Sequence, residues 1–283
     1  MRKFLAAIVL VSALALLAGC GGSSDTSSGS TAGAAACEPG RLPTHSDGVL
    51  TVATDKPAFP PYFENDDPSN GEGFESAVAY AIGKHLGYPP AKVDWTVEPF
   101  NSSYAPGPKG FDFDVNEISI TPARSKVVDF SSPYYTANQA VVALKDSEAA
   151  SAGSLADLSG TTIGVQIGTT SLEAVEDSID PSAQPQVFNS SNDVVTALKN
   201  ETIDAIVVDL PTALYLTAVQ VPAATVVGQF SAPGGDRWGA LLAKDSPLTP
   251  CVSRAIDEMR GSGELDQLNK RWMSQAAGAP ELR

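Results

Sequence analysis

The sequence predicts an α/β fold built as two units, and three observations carry that expectation. From Val49 onward, short apolar β-branched runs alternate with segments whose apolar residues recur every three or four positions, the pattern of alternating strands and helices. The chain has 283 residues, 43% of them hydrophobic and 18% charged, enough for one large or two ordinary domains with a real core. No self-similar period of solenoid length interrupts the alternation.

In the first unit, Val49 to Thr54 reads as a strand ending at Asp55. After a loop rich in Pro, Asn and Gly, the residues Phe74, Val78, Ile82 and Leu86 recur at helical spacing until Gly87 and Pro89 stop the helix. Val93 to Val97 is a second strand, Ser103 to Lys109 a loop, and Val115 to Ile120 a third strand. Thr121 and Pro122 then supply an N-cap and a proline at the first helical position. Ala140 to Leu144 is a strand leading out of this unit.

The second unit opens with a strand at Thr162 to Ile167, a turn through Gly168 to Ser171 and a short helix from Leu172 to Ser178. Ser190 and Ser191 cap a helix carrying Val194, Val195 and Leu198 inward, and Ile203 to Val208 is an apolar strand ending at Asp209. Val226 to Ala243 reads as extended. Thr249 and Pro250 open a helix with Val252, Ala255, Ile256 and Met259 on one face, Gly261 and Gly263 break it, and Leu265, Leu268 and Trp272 line the last helix.

Lys and Arg total 18 against 33 Asp and Glu, a net charge of −15. A surface this acidic repels phosphate backbones, so no nucleic-acid partner is expected. Two histidines and three cysteines offer little for a metal site. Arg2 and Lys3 followed by the apolar run Phe4 to Leu17 read as a secretory signal too short to span a membrane. The run ends in Leu17-Ala18-Gly19-Cys20, which resembles a bacterial lipobox and makes Cys20 the expected lipidated residue. Gly21 to Ala36 is a polar leash. With Cys20 acylated and disulfides permitted by export, Cys37 and Cys251 remain as an expected pair, set against the alternative of two unpaired thiols.

One constellation is more specific. Glu117-Ile118-Ser119-Ile120-Thr121-Pro122-Ala123-Arg124, then Val128-Asp129-Phe130-Ser131 and Pro133-Tyr134-Tyr135, resembles the family 3 extracellular solute-binding proteins, receptors of bacterial ABC importers for polar amino acids. Thr54-Asp55, Phe59-Pro60-Pro61, Gly73-Phe74-Glu75, Gly168-Thr169-Thr170, Asp204-Ala205 with Asp209, and Lys270-Arg271-Trp272 follow the family's order, so the resemblance runs from about Val49 to Met273. It implies a two-lobe, type II periplasmic-binding-protein-like fold whose lobes are joined by two extended crossovers, near Ala140 to Lys145 and Gln229 to Gly239. The domain plan is then a signal peptide at 1–19, a lipidated cysteine and tether at 20–47, lobe one at 48–141 plus 235–275, lobe two at 142–234, and a tail at 276–283.

An amino-acid ligand carries a carboxylate and an ammonium at fixed separation, so its binder needs donors facing an acceptor. Arg124, in a first helical turn, suits a bidentate grip on the carboxylate and matches the family's carboxylate-binding arginine; the competing reading pairs it with Glu117 or Asp129. Ser119 matches a ligand-touching position, or simply pairs with a neighbouring strand. Thr169 and Thr170 lie where orphan N–H groups bind anions, and capping alone would also explain them. Asp209 matches the acid that pairs the ligand's ammonium. Phe59 and Phe100 match aromatics that pack on the ligand, though aromatics in such loops often pack locally, and Asp55 is a cleft-edge candidate.

This chain departs from the family pattern at three places. Ala77 replaces a second acid, Asn101 to Gly110 is rich in Pro and Gly, and Glu117 stands where small residues are common. Facing the ligand, Glu117 would favour a basic amino acid or another amine; pairing Arg124, it would weaken the carboxylate grip. The resemblance implies a receptor that binds an amino acid or amine, partners an ABC permease, uses no cofactor, acts as a monomer and sits lipid-anchored on the outer face of the cytoplasmic membrane. The alternative is an exported cyclohexadienyl-dehydratase-like enzyme on the same fold. No nucleophile elbow, zinc-protease helix or phosphate loop supports catalysis.

Overall fold

A computed structural model describes residues 37–232, 234–273 and 278–283; Cys20, its leader and most of its tether lie outside the described residues. Two five-stranded sheets form the frame. The first takes β1 (Leu50–Thr54), β2 (Val93–Val97), β3 (Phe113–Asp114), β4 (Val128–Phe130) and a strand from late in the chain. Its order is β2-β1-β3 followed by that late strand and β4. β1 runs parallel to β2 and β3, as expected where helices cover both faces. The covering helix α1 (Phe74–His85) lays Phe74, Val78 and Ile82, all fully buried, on Leu50 and Val52.

Between the sheets runs β5 (Tyr135–Ala137), and then comes β6 (Gln139–Leu144), an interior strand of the second sheet. That sheet continues with β7 (Ile163–Gln166), β8 (Gln186–Phe188), β9 (Ala205–Asp209) and β10 (Ala224–Phe230), in the order β10-β6-β9-β7-β8. The chain returns through β11 (Asp236–Trp238), antiparallel to β5, and β12 (Leu241–Ala243), the late strand of the first sheet. Among the helices, α2 (Phe100–Ser103) belongs to the first lobe. The helices α3 (Thr170–Ala174), α4 (Ser191–Lys199) and α5 (Leu210–Tyr215) belong to the second, and α6 (Thr249–Ser262) and α7 (Glu264–Trp272) close the first. Val252, Ile256 and Met259 of α6 join the α1 core, so the last helices complete a lobe begun some two hundred residues earlier.

Cys37 and Cys251 form a disulfide with Cα atoms 5.5 Å apart across 214 residues. Arg254, one turn further along α6, donates to the Cys37 carbonyl at 3.1 Å. The N-terminal strap is thereby fastened to α6.

Several sequence expectations shift. The third strand is Phe113–Asp114, ahead of the expected Val115 to Ile120, where only Ser119 makes an isolated bridge, to Trp238. The chain turns at Glu117, whose φ is 49°, and leaves the sheet for the crossover, where Ile120 N–H donates to Arg237 and Gly239 N–H to Ile118. The helix expected at Thr121 is a single 3-10 turn at Arg124–Lys126. Thr121 does cap it, accepting from Arg124 N–H at 3.2 Å, but β4 resumes at once. The crossover strands are β5 and β11, since β6 lies inside the second sheet. The tail does not hang free: Leu282 is buried and its N–H donates to the Gln229 carbonyl on β10, whose own N–H donates to the Pro280 carbonyl.

Candidate functional site

A cavity of about 310 Å³ lies between the lobes, walled by the loops that follow β1, β2, β3, β7 and β9. This is the carboxyl edge of the sheets, where α/β folds place ligands. Eight of the nine residues expected to touch ligand line it: Asp55, Phe59, Phe100, Glu117, Ser119, Thr169, Thr170 and Asp209. Arg124 does not.

Arg124 is 8% exposed and stands behind that wall. Its guanidinium donates to the Ser119 carbonyl and to the Gly168 carbonyl of the opposite lobe, each at 2.8 Å. It lies 4.7 Å from the Tyr104 ring centroid and 5.5 Å from that of Phe100, within cation–π range. The competing pairing of Arg124 with Glu117 or Asp129 is absent: Asp129 holds Lys244 at 3.0 Å, and Glu117 belongs to a different cluster. Backbone carbonyls and aromatic faces hold the cation in place of a carboxylate.

Gly168 is fixed by this contact. Its φ of 75° favours glycine, and a Cβ there would fall onto the Tyr104 hydroxyl. Beside it, Thr169 caps α3, accepting from Leu172 N–H at 3.3 Å and donating to the Gln166 carbonyl at 2.8 Å. Thr170 reaches across the gap instead, with its hydroxyl 3.2 Å from that of Ser119. Tyr62 and Thr212 bridge the lobes a second time, hydroxyl to hydroxyl at 2.8 Å.

Two acid pairs flank the cavity. In the first lobe, Glu75 is fully buried on α1 and accepts from Glu117 N–H at 2.8 Å and from the Tyr134 hydroxyl. The Glu117 carboxyl neighbours it as well. Burial and the Glu75 charge push the Glu117 carboxyl well above the usual range. Across the gap, Asp236 of β11 accepts from the hydroxyls of Ser119 and Thr170 and from the Gln139 amide. Asp209 meets Asp236 and the same amide, and burial followed by the Asp236 charge raises its carboxyl well above the usual range. Asp55, also at the cavity, is pushed up to about 6 by burial. The lining cation Lys56 is paired with Asp66 at 3.3 Å. The cavity is therefore acidic and short of cations.

Asp236, Gln139 and Glu75 were not identified from sequence as parts of the site. Asp236 carried a weak signal, since it falls in the expected second crossover, where any polar residue must face the hinge. Gln139 carried none, being one polar residue at the head of an apolar strand.

The model for "Bacterial extracellular solute-binding proteins, family 3" matches residues 50–275. The arginine-binding extracellular protein ArtP of Bacillus subtilis (strain 168) is 33% identical over 217 residues, spanning 75% of this chain and 82% of its own length. An ancestral arginine-binding protein solved with arginine superposes with a TM-score of 0.66 at 32% identity, covering 79% of this chain and 97% of that one. The same kind of ancestral protein solved with glutamine gives 0.68 at 31% identity, covering 81% and 99%. These spans include both lobes.

Proposed function

Because the chain belongs to the family 3 bacterial extracellular solute-binding proteins, we propose that its cleft captures a basic amino acid and presents it to the transmembrane subunits of an ABC importer. The chain is an amino-acid-binding receptor of such a transporter, and it binds its ligand without turning it over. Matched relatives are binding proteins, so the dehydratase-like alternative is set aside. Arginine is the favoured ligand because ArtP is named for it and because the cavity lines three carboxylates, Asp55, Glu117 and Asp209, against one already paired lysine. That charge imbalance carries the reading: buried carboxylates without counter-charges are costly, and a cationic ligand relieves the cost.

In this mechanism the lobes interconvert between open and closed forms, and ligand contacts drawn from both favour the closed one. Arg124 turns its free N–H groups to the ligand carboxylate, with the Thr170 hydroxyl beside them. Asp209 takes the ammonium, releasing its proton, and Asp55 and Glu117 face the side chain. Phe59, 6.2 Å from Tyr215 of the other lobe, covers the aliphatic stem. The receptor works as a monomer, lobe one holding about residues 48–138 plus 235–275 and lobe two about 139–234, since β6 belongs wholly to the second sheet. The leader supports an anchor through Cys20 at the outer face of the cytoplasmic membrane.

The test is a thermal-shift and calorimetric screen over arginine, lysine, histidine, glutamine and cystine. A ligand at a hundred times its dissociation constant stabilises the folded state by about 2.7 kcal/mol. Arginine and lysine are expected to give the largest shifts. Stabilisation by cystine alone would overturn the basic-ligand reading.

A further inference from the structure

The feature that departs most from the family pattern is Glu117, and its surroundings give it a chemistry that a small residue lacks. It lies in the left-handed region with φ 49°, a conformation that costs a non-glycine residue on the order of 1 kcal/mol or more. Glu75 holds it there: the Glu75 carboxylate accepts from the Glu117 backbone N–H at 2.8 Å, and the Tyr134 hydroxyl fills the rest of the same oxygen. Glu75 is itself sealed from solvent under α1, and Glu117 is the member of the pair that reaches the cavity.

The groups facing Glu117 come from every element around it. Glu75 and Tyr134 belong to the first-lobe core, Asp55 and Tyr62 to the loop after β1, and Asp209 to the second lobe. No cation lies among them. Lys56 is held by Asp66, and Arg124 lies behind the cavity wall with one N–H on each of the Ser119 and Gly168 carbonyls. A carboxyl so placed can offer either of two faces to a side chain. Carrying its proton, it donates to a neutral amide oxygen; without it, it accepts from an ammonium or guanidinium.

We propose that Glu117, positioned by Glu75, sets the charge of the side chain this receptor accepts, favouring a neutral amide-bearing amino acid when it holds its proton and a cationic one when it has lost it. The idea rests on the amino-acid reading above. Ancestral relatives of this chain are solved with arginine and with glutamine, so these two amino acids serve as the probes. Burial and the Glu75 charge, which both favour the protonated carboxyl, add support.

The measurement is calorimetric titration of the full chain with L-arginine and with L-glutamine from about pH 5 to about pH 9, a window that brackets a raised carboxyl. Both ligands share the same α-carboxylate and α-ammonium, so the ratio of their affinities cancels Arg124 and Asp209 and reads the side-chain end. The preference for arginine is expected to rise with pH, by up to about tenfold per unit where one proton is displaced. In Glu117→Gln the ratio should become flat. In Glu75→Gln the rise should persist with its midpoint moved to lower pH, which a merely structural role for Glu75 would not produce. In Asp55→Asn the rise should remain. A flat ratio in the parent protein, a rise that survives Glu117→Gln, or a rise lost only in Asp55→Asn overturns the proposal. Failure of both amino acids to bind at any pH overturns the receptor reading beneath it.

Discussion

The two acid pairs on either side of the cleft share one design and differ in what assembles them. Each has an inner carboxylate that collects donors, Glu75 or Asp236, and an outer carboxyl that lines the cavity, Glu117 or Asp209. Glu75 draws all its partners from the first lobe, so that pair is complete whether the lobes are open or closed. Asp236 draws Ser119 from the first lobe and Thr170 and Gln139 from the second, so its shell exists only when the lobes meet. On the proposal above, the first pair reads the ligand while the second depends on closure. An acid sitting on a crossover strand is a different device from an acid in a lobe, even with the same chemistry.

The strongest test removes Arg124, which bridges the lobes beside the Asp236 pair. Arg124→Ala should weaken arginine binding by about 2–5 kcal/mol, the scale seen when one member of a buried charged contact is truncated; unchanged affinity in calorimetry would take Arg124 out of the site. Next comes the fixed pair. Glu75→Leu leaves the Tyr134 hydroxyl and the Glu117 N–H without their acceptor and should lower unfolding stability by about 2–3 kcal/mol in urea titration, while Glu75→Gln restores most of it.

A third prediction concerns pH. The Asp55 carboxyl is raised by burial from its model-compound value of 3.8 to about 6 in the empty protein. Its stabilising contribution is therefore complete below pH 3.8 and is lost as pH rises through about 6. The loss should be on the order of 2 kcal/mol in the ligand-free form, and Asp55→Asn should flatten that part of the stability–pH curve. The smallest effect belongs to Asp236→Asn. It should change unfolding stability by no more than about 1 kcal/mol, yet enlarge the ligand-free radius of gyration in small-angle scattering by favouring the open form. A compact ligand-free variant would show that the Asp236 shell does not hold the lobes together.

Much of this frame was legible in the sequence because local signals agreed with global ones. Phe74, Val78 and Ile82 fall at helical spacing and all face β1, and the apolar strand ending at Asp209 reads directly as the buried β9 with its acid at the cleft. The segment from Val115 to Ile120 misled for a physical reason. Its apolar alternation mimics a strand, but the pull of Glu75 on the Glu117 N–H bends it away after Asp114. No local signal encodes a partner 42 residues upstream. Likewise the seat of Arg124 between the Phe100 and Tyr104 rings and the Gly168 carbonyl, behind the cavity wall, depends on a contact between lobes that periodicity cannot express. Asp236 and Gln139 became visible only once the sheets were set face to face.

The bond between Cys37 and Cys251 has a mechanical corollary. The first lobe is assembled from the two ends of the chain, with the second lobe inserted between them, and the clasp sits where those ends come together. A pull transmitted along the residues ahead of Cys37 enters α6 through sulfur and spreads into the helical layer, never peeling β1 from its neighbours. The hinge strands β5 and β11 lie outside that clasp, so a load entering at Cys37 reaches the first lobe without crossing the hinge.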